Sequence, residues 1–163
     1  MVGQLIGMAV RARSRAPMET QASGIVTVEA GLGGDFRGAK FKSRQITILA
    51  REDWEATLLD LAGLMGPPDL PWTVRRANLL VAGVRLPRAK GGVLRIGPVL
   101  VEITGQTYPC QRMEAAHAGL LSALAPDWRG GVTCCVLEGG PLTLGDPVSI
   151  AHAPQERMIQ LPG

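Results

Sequence analysis

Cys110 is the residue in this chain best equipped for chemistry. It sits in Tyr108-Pro109-Cys110-Gln111-Arg112. Pro109 withholds one backbone donor and stiffens the approach to the cysteine. Arg112, and the start of a helix predicted just after it, favour a thiolate. A thiolate on a loop serves as a nucleophile, a sulfur carrier or a soft-metal ligand. The alternative is a cysteine packed as a small hydrophobe. Cys134 and Cys135 lie within a predicted strand, so their side chains point to opposite faces and read as packing.

Arginine supplies the second group of candidates. Of the 17 basic residues, 14 are Arg, the side chain suited to planar recognition of phosphate and carboxylate. GC-rich codon usage is the competing explanation for the total, though not for where each Arg sits. In Arg75-Arg76-Ala77-Asn78, residues 76 and 78 would share a face if extended, offering a fork and an amide to one anion or heterocycle edge. Otherwise they are a solvated strand start. Arg129-Gly130-Gly131 reads as a close backbone approach to a ligand with Arg129 at its edge, or as a plain turn. Arg11, Arg13 and Arg15 form one strip if extended, and Lys40, Lys42 and Arg44 another. Neither is interleaved with aromatics, so nucleic-acid stacking is not indicated. His117 lies two helical turns past Cys110, about 10 Å along a helix, too far for easy pairing. The chain has no C-x-x-C and no H-E-x-x-H, so a protein-built zinc site is not expected.

Short elements must position these groups. Gly3–Val10, Gly24–Glu29, Gln45–Ala50, Asn78–Gly83, Val93–Ile96, Val99–Thr104, Val132–Leu137 and Val148–Ile150 read as strands. Val93–Ile96 and Val99–Thr104 form a hairpin across Gly97-Pro98. Glu52–Leu64 has helical spacing at Trp54, Leu58, Leu61 and Met65, and Met113–Leu124 reads as a second helix. Ala30–Lys40 is a glycine-rich loop, and Gly139-Gly140-Pro141 is a turn.

The 21 Gly and 12 Pro make up 33 of 163 residues, against an average near 12%. Long-helix bundles do not tolerate that density. With 46% hydrophobic residues and six aromatics, the chain reads as one loop-rich domain with an aliphatic core. The longest segment without charge, Ala115 to Pro126, falls short of the ~18 residues a membrane span needs. No membrane or nucleic-acid partner is expected. The N-terminal segment places its apolar run before its charge, the reverse of an export signal. An odd cysteine count then suggests a reducing, cytoplasmic setting.

V-E-A-G-L-G-G-D-F-R-G (28–38), R-Q-I-T-I-L (44–49), R-R-A-N-L-L-V-A-G (75–83), L-R-I-G-P-V-L-V-E-I-T (94–104), P-C (109–110), W-R-G-G-V (128–132) and G-G-P-L-T-L-G-D-P-V (139–148) resemble, in order and spacing, the MOSC domain of molybdenum cofactor sulfurases. The resemblance implies a mainly β fold of the pyruvate kinase barrel-like type, with one or two short helices. It covers roughly residues 3–150, so the single domain read from length is expected over 1–153, with the polar residues 154–163 as a tail. It places Cys110 on the family's characteristic cysteine, a molybdenum ligand in the amidoxime-reducing branch. Arg76 and Asn78 fall on the segment that helps hold the pterin, and Arg129 and Arg44 are carried over as further cofactor-binding positions. The implied cofactor is the molybdenum cofactor, and the implied activity is reduction of small N-hydroxylated molecules. The alternative is a sulfur carrier bearing a persulfide on Cys110. No pyridoxal phosphate is expected on this chain alone, and its three cysteines cannot build a Cys₄ cluster. A separate electron-donor protein or cysteine desulfurase is therefore the expected partner.

Overall fold

The aliphatic segments pair into a ring. A computed structural model describes residues 2–156. In chain order the elements are β1 (Gly3–Val10), β2 (Glu19–Thr20), β3 (Ser23–Thr27), β4 (Gly31–Leu32), β5 (Ile46–Ala50), α1 (Arg51–Asp60), β6 (Leu79–Ala82) and β7 (Val93–Ile96). They continue with β8 (Val99–Gln106), α2 (Gln111–Ala116), α3 (Leu120–Leu124), β9 (Val132–Glu138), β10 (Gly140–Thr143) and β11 (Pro147–His152). Seven strands close a barrel in the order β11-β7-β8-β9-β5-β6-β1, and β1 returns to β11 through Gly3 opposite Val148. Closure removes the exposed edges an open sheet would carry. Neighbours are antiparallel except β5 and β6, whose parallel pairing needs the crossover that contains α1.

The lumen is filled by aliphatic side chains such as Leu5, Ile46, Ile48, Leu79, Ile96 and Ile103, all 0–1% exposed. Each such burial contributes roughly 1.5–3 kcal/mol. A small sheet, β10-β3-β4, adds Val26, Leu32 and Leu142 to that core. Outside the barrel, Leu49 and Leu80 pack against Trp54, Met113, Leu120 and Leu124 of the helices. All five residues of β5 are therefore buried, Ile46 and Ile48 towards the lumen and Leu49 towards the helices.

Several expected elements change. The first helix ends at Asp60, and Gly63 and Gly66 exchange backbone hydrogen bonds across a tight turn. Leu64 and Met65 stand at its tip in solvent, so Met65 is not on the buried face. The second helix breaks between Ala116 and Leu120. Gly119 has φ +89°, a conformation glycine adopts without strain. The Glu114 carboxylate accepts the Gly119 and Leu121 amides and caps the new start. The short helices number three among the described residues. Gly140 and Pro141, read as part of the turn Gly139-Gly140-Pro141, instead begin the strand Gly140–Thr143, which pairs with β3. Of the polar tail, residues 157–163 lie outside the described residues. Glu156 does not hang free: it accepts two hydrogen bonds from Arg85 and one from the Arg88 amide.

Candidate functional site

A cleft of about 280 Å³ lies against the outer face of β5 at Thr47, walled by the loops after β1 and β8 and before β5, β6 and β9. Thr47 alternates with Ile46 and Ile48, so it faces away from the lumen. Tertiary contacts explain how residues distant in sequence reach this cleft.

Arg11, the first residue after β1, is 3% exposed. Its amide and Nε donate to Asp35 Oδ1 at 3.0 and 3.4 Å. Asp35 also accepts the Arg37 amide, and the Phe36 amide donates to the Arg11 carbonyl. One buried carboxylate thus clips the G-G-D-F-R-G loop to the end of β1 and carries Arg37 into the cleft. Arg11 Nη2 then donates to the Arg76 carbonyl at 2.9 Å.

Arg76 ends a 3₁₀ turn, Trp72–Arg75, in the left-handed conformation with φ 63°. It is therefore not extended, and it does not share a strand face with Asn78. Its Nη2 donates to the Ala16 carbonyl at 2.6 Å, while its buried Nε has no partner among the described residues. Asn78 lies beneath the cleft. Its Oδ1 accepts the Thr47 amide and hydroxyl, and its Nδ2 donates to the Ala9 carbonyl. It ties β5 to β1 and does not line the cleft.

Arg75 crosses the floor, donating from Nε to the Gly130 carbonyl at 3.0 Å and from Nη2 to the Thr107 carbonyl at 2.9 Å. A Cβ on Gly130 would stand 2.3 Å from the Thr107 oxygen and 3.0 Å from Arg75 Nη2. That glycine admits the arginine and a neighbouring loop as well as bordering the cleft. Arg129 points elsewhere, donating to Asp60 and to the Ala123 carbonyl, and it joins α1 to α3. The Thr107 hydroxyl is buried without a partner among the described residues.

Cys110 is exposed, extended, and immediately precedes α2. Its thiol makes no hydrogen bond among the described residues. Cys110, Tyr108 and Arg44 border both the arginine cleft and a shallower hollow of about 610 Å³ lined by Thr104, Gln106 and Thr133. His117 sits past the end of α2, its ring nitrogen beside the Ala118 carbonyl, and does not line the cleft. Cys134 faces the barrel core, where burial pushes its thiol up.

The cleft thus gathers Cys110, Arg76 and Arg44 from the sequence-predicted set, and excludes Asn78 and Arg129. The two basic strips do not persist as strips. Arg15 adopts φ 63° and reaches the cleft edge, as Arg44 does, while the Lys40 ammonium sits over the Phe36 ring at 5.0 Å. Sequence reasoning missed Arg75, Arg37, and Arg11 as a buried anchor. The available signals were the Arg75-Arg76 doublet and the Asp-Phe-Arg in the glycine-rich loop.

Among the described residues seven arginines line the cleft, and no Asp or Glu does. Burial pushes the Arg75 guanidinium down to about 10, partly opposed by Cys110, with Arg44 lowering it further. It remains charged at neutral pH. Burial, then Arg11 and Arg44, lowers Arg37. Burial, then Arg11, Arg112 and Arg37, lowers Arg76. Such a one-signed cleft concentrates anions. Among the described residues no three His, Cys, Asp or Glu side chains cluster as metal ligands. A metal bound here would have one protein ligand, Cys110, and would arrive held by another chelator. A phosphate-bearing pterin dithiolate fits those donors: the unpaired Arg76 Nε and Thr107 hydroxyl suit a phosphate, and the thiol suits a soft metal.

A model of the MOSC domain family matches residues 32–149. No protein with a curated description matches the chain. Solved structures share the fold. YuaD from Bacillus subtilis superposes with a TM-score of 0.72 at 19% identity, covering 95% of this chain and 98% of that one. YiiM from Geobacillus stearothermophilus gives 0.67 at 16% identity, covering 92% and 75%. YiiM from Escherichia coli gives 0.64 at 14%, covering 94% and 72%.

Proposed function

The chain belongs to the MOSC domain family, and on that premise we propose that its arginine cleft binds the molybdenum cofactor, with the Cys110 thiolate as the protein ligand to the metal. The observation that carries this reading is a coincidence of donors. Two buried, unpaired groups, Arg76 Nε and the Thr107 hydroxyl, belong to residues that line the same cleft as Cys110. Arg75 and Arg76 hold the cofactor's phosphate, and Arg11, fixed by Asp35, holds the Arg76 carbonyl and so the turn that carries both. When bound, the cofactor supplies two-electron removal of oxygen from an N-hydroxylated substrate, with electrons from a separate donor protein and two protons leaving with the oxygen as water. The hollow on the other side of Cys110, uncharged apart from Arg44 at the shared wall, admits the substrate.

The exposed thiol also supports a second reading. Cys110 as thiolate attacks the outer sulfur of a desulfurase persulfide, forms a Cys110 persulfide, and releases the desulfurase thiolate.

One experiment separates the two. Wild type and Cys110→Ala, expressed in a host that makes the cofactor, are compared for molybdenum and pterin content. Loaded wild type with an empty variant supports the first reading. Equal loading removes Cys110 as the ligand. Wild type without molybdenum, but with one added sulfur at Cys110 by intact mass, supports the second.

A further inference from the structure

The cleft holds more positive charge than one phosphate can use. Among the described residues seven arginines line it, and only Arg11 pairs with a carboxylate, the buried Asp35. A phosphate monoester carries about two negative charges near neutral pH. Arg11, Arg75 and Arg76 already form one group, tied to Asp35 and to backbone carbonyls. Arg15 stands at the cleft edge, and Arg37, Arg44 and Arg112 are different. Their side chains reach no hydrogen-bond or ion-pair acceptor among the described residues, yet they share the cleft wall. Arg44 and Arg112 both lie close enough to act on the charge of Arg37. Each comes from a different segment: the G-G-D-F-R-G loop, the 3₁₀ turn Lys42–Arg44, and the first turn of α2. Like charges brought together without counter-ions destabilise the unliganded chain.

We propose that Arg37, Arg44 and Arg112 form a second anion subsite that takes a further phosphate group. Three forks from three segments match the three terminal oxygens of a phosphate better than the two of a carboxylate. The occupant is a phosphate ester. Its source is either a nucleotide extension of the cofactor or the phosphate of a nucleotide-like substrate. The subsite deepens the cofactor reading, and rests on it only for the identity of the first anion.

The test is calorimetric binding of inorganic phosphate and inorganic pyrophosphate to the full chain, produced in a host that cannot make the cofactor. Wild type is expected to bind pyrophosphate at least ~10-fold more tightly than phosphate. The Arg37→Gln/Arg112→Gln variant is expected to lose that preference and keep its phosphate affinity within about 3-fold. Arg76→Gln is expected to weaken both anions. A thermal melt confirms folding of each variant. A wild type that does not prefer pyrophosphate, or a double variant that keeps the preference, overturns the subsite. The two sources are then separated on protein from a cofactor-producing host. A nucleotide released by mild acid identifies the cofactor. Without one, tighter binding of a nucleoside 5′-monophosphate than of its nucleoside identifies the substrate. Neither result overturns the assignment to a phosphate ester. Molybdenum content tests the cofactor reading separately.

Discussion

Arginine does two different jobs in two regions of this molecule. Outside the cleft, Arg51, Arg85, Arg88, Arg95 and Arg129 each reach at least one carboxylate. Inside it, of seven arginines among the described residues only Arg11 reaches a carboxylate, Asp35. Codon bias explains an abundance of Arg but not this segregation. The paired arginines bind the surface together. Those of the cleft leave positive charge unbalanced among the described residues.

Asp35 offers the largest way to break that contrast. Asp35→Ala leaves Arg11 buried with no counter-charge and frees the loop that carries Arg37. It is expected to cost about 3–5 kcal/mol, read by urea denaturation. Gly130→Ala comes next. Its Cβ collides with the Thr107 carbonyl and crowds Arg75. A loss of about 1–3 kcal/mol is expected, together with weaker phosphate binding as Arg75 leaves the floor. A stable variant with unchanged phosphate affinity would show that Arg75 does not need this seat.

Paired and unpaired arginines can be compared directly. Arg88→Gln removes ion pairs with Asp53 and Asp127 and is expected to lose less than about 1 kcal/mol. Arg37→Gln removes no pair and relieves repulsion, so its melting temperature in anion-free buffer should be unchanged or higher. The smallest effect lies at Glu156, whose carboxyl is held down to about 2 by hydrogen bonds from the Arg85 side chain and the Arg88 amide. Because the folded value lies below the ordinary 4.5, its contribution is full above that pH and is lost as pH falls towards 2. The pair is solvent-exposed, so acid titration of Glu156→Gln against wild type should differ by well under about 1 kcal/mol.

Much of the barrel was legible because its strands are short aliphatic runs with turn residues between them. β10 was not, since Gly139-Gly140-Pro141 carries the composition of a turn and becomes a strand only by pairing with β3. The break after α2 was hidden for a related reason. Met113–Leu124 keeps helical spacing, and the interruption depends on Gly119 and on Glu114 capping the next segment. Of the residues that line the cleft, Cys110 and Arg76 could be named from local sequence, and Arg44 as a cofactor position only through the family resemblance. Asn78 looked equally suitable until its amide was found committed between β5 and β1.

The amino-acid sequence by itself determined the material: an aliphatic, turn-rich chain with a loop cysteine and an excess of arginine, in an order that marks its family. Local spacing suffices for that, because turn chemistry and apolar runs act over a few residues. The tertiary structure decided which arginines pair within the protein and which stay unpaired along the cleft. Arg11 meets Asp35 across 24 positions and the Arg76 carbonyl across 65. Only closure of the barrel brings those segments together, and charge balance in a cleft depends on that proximity.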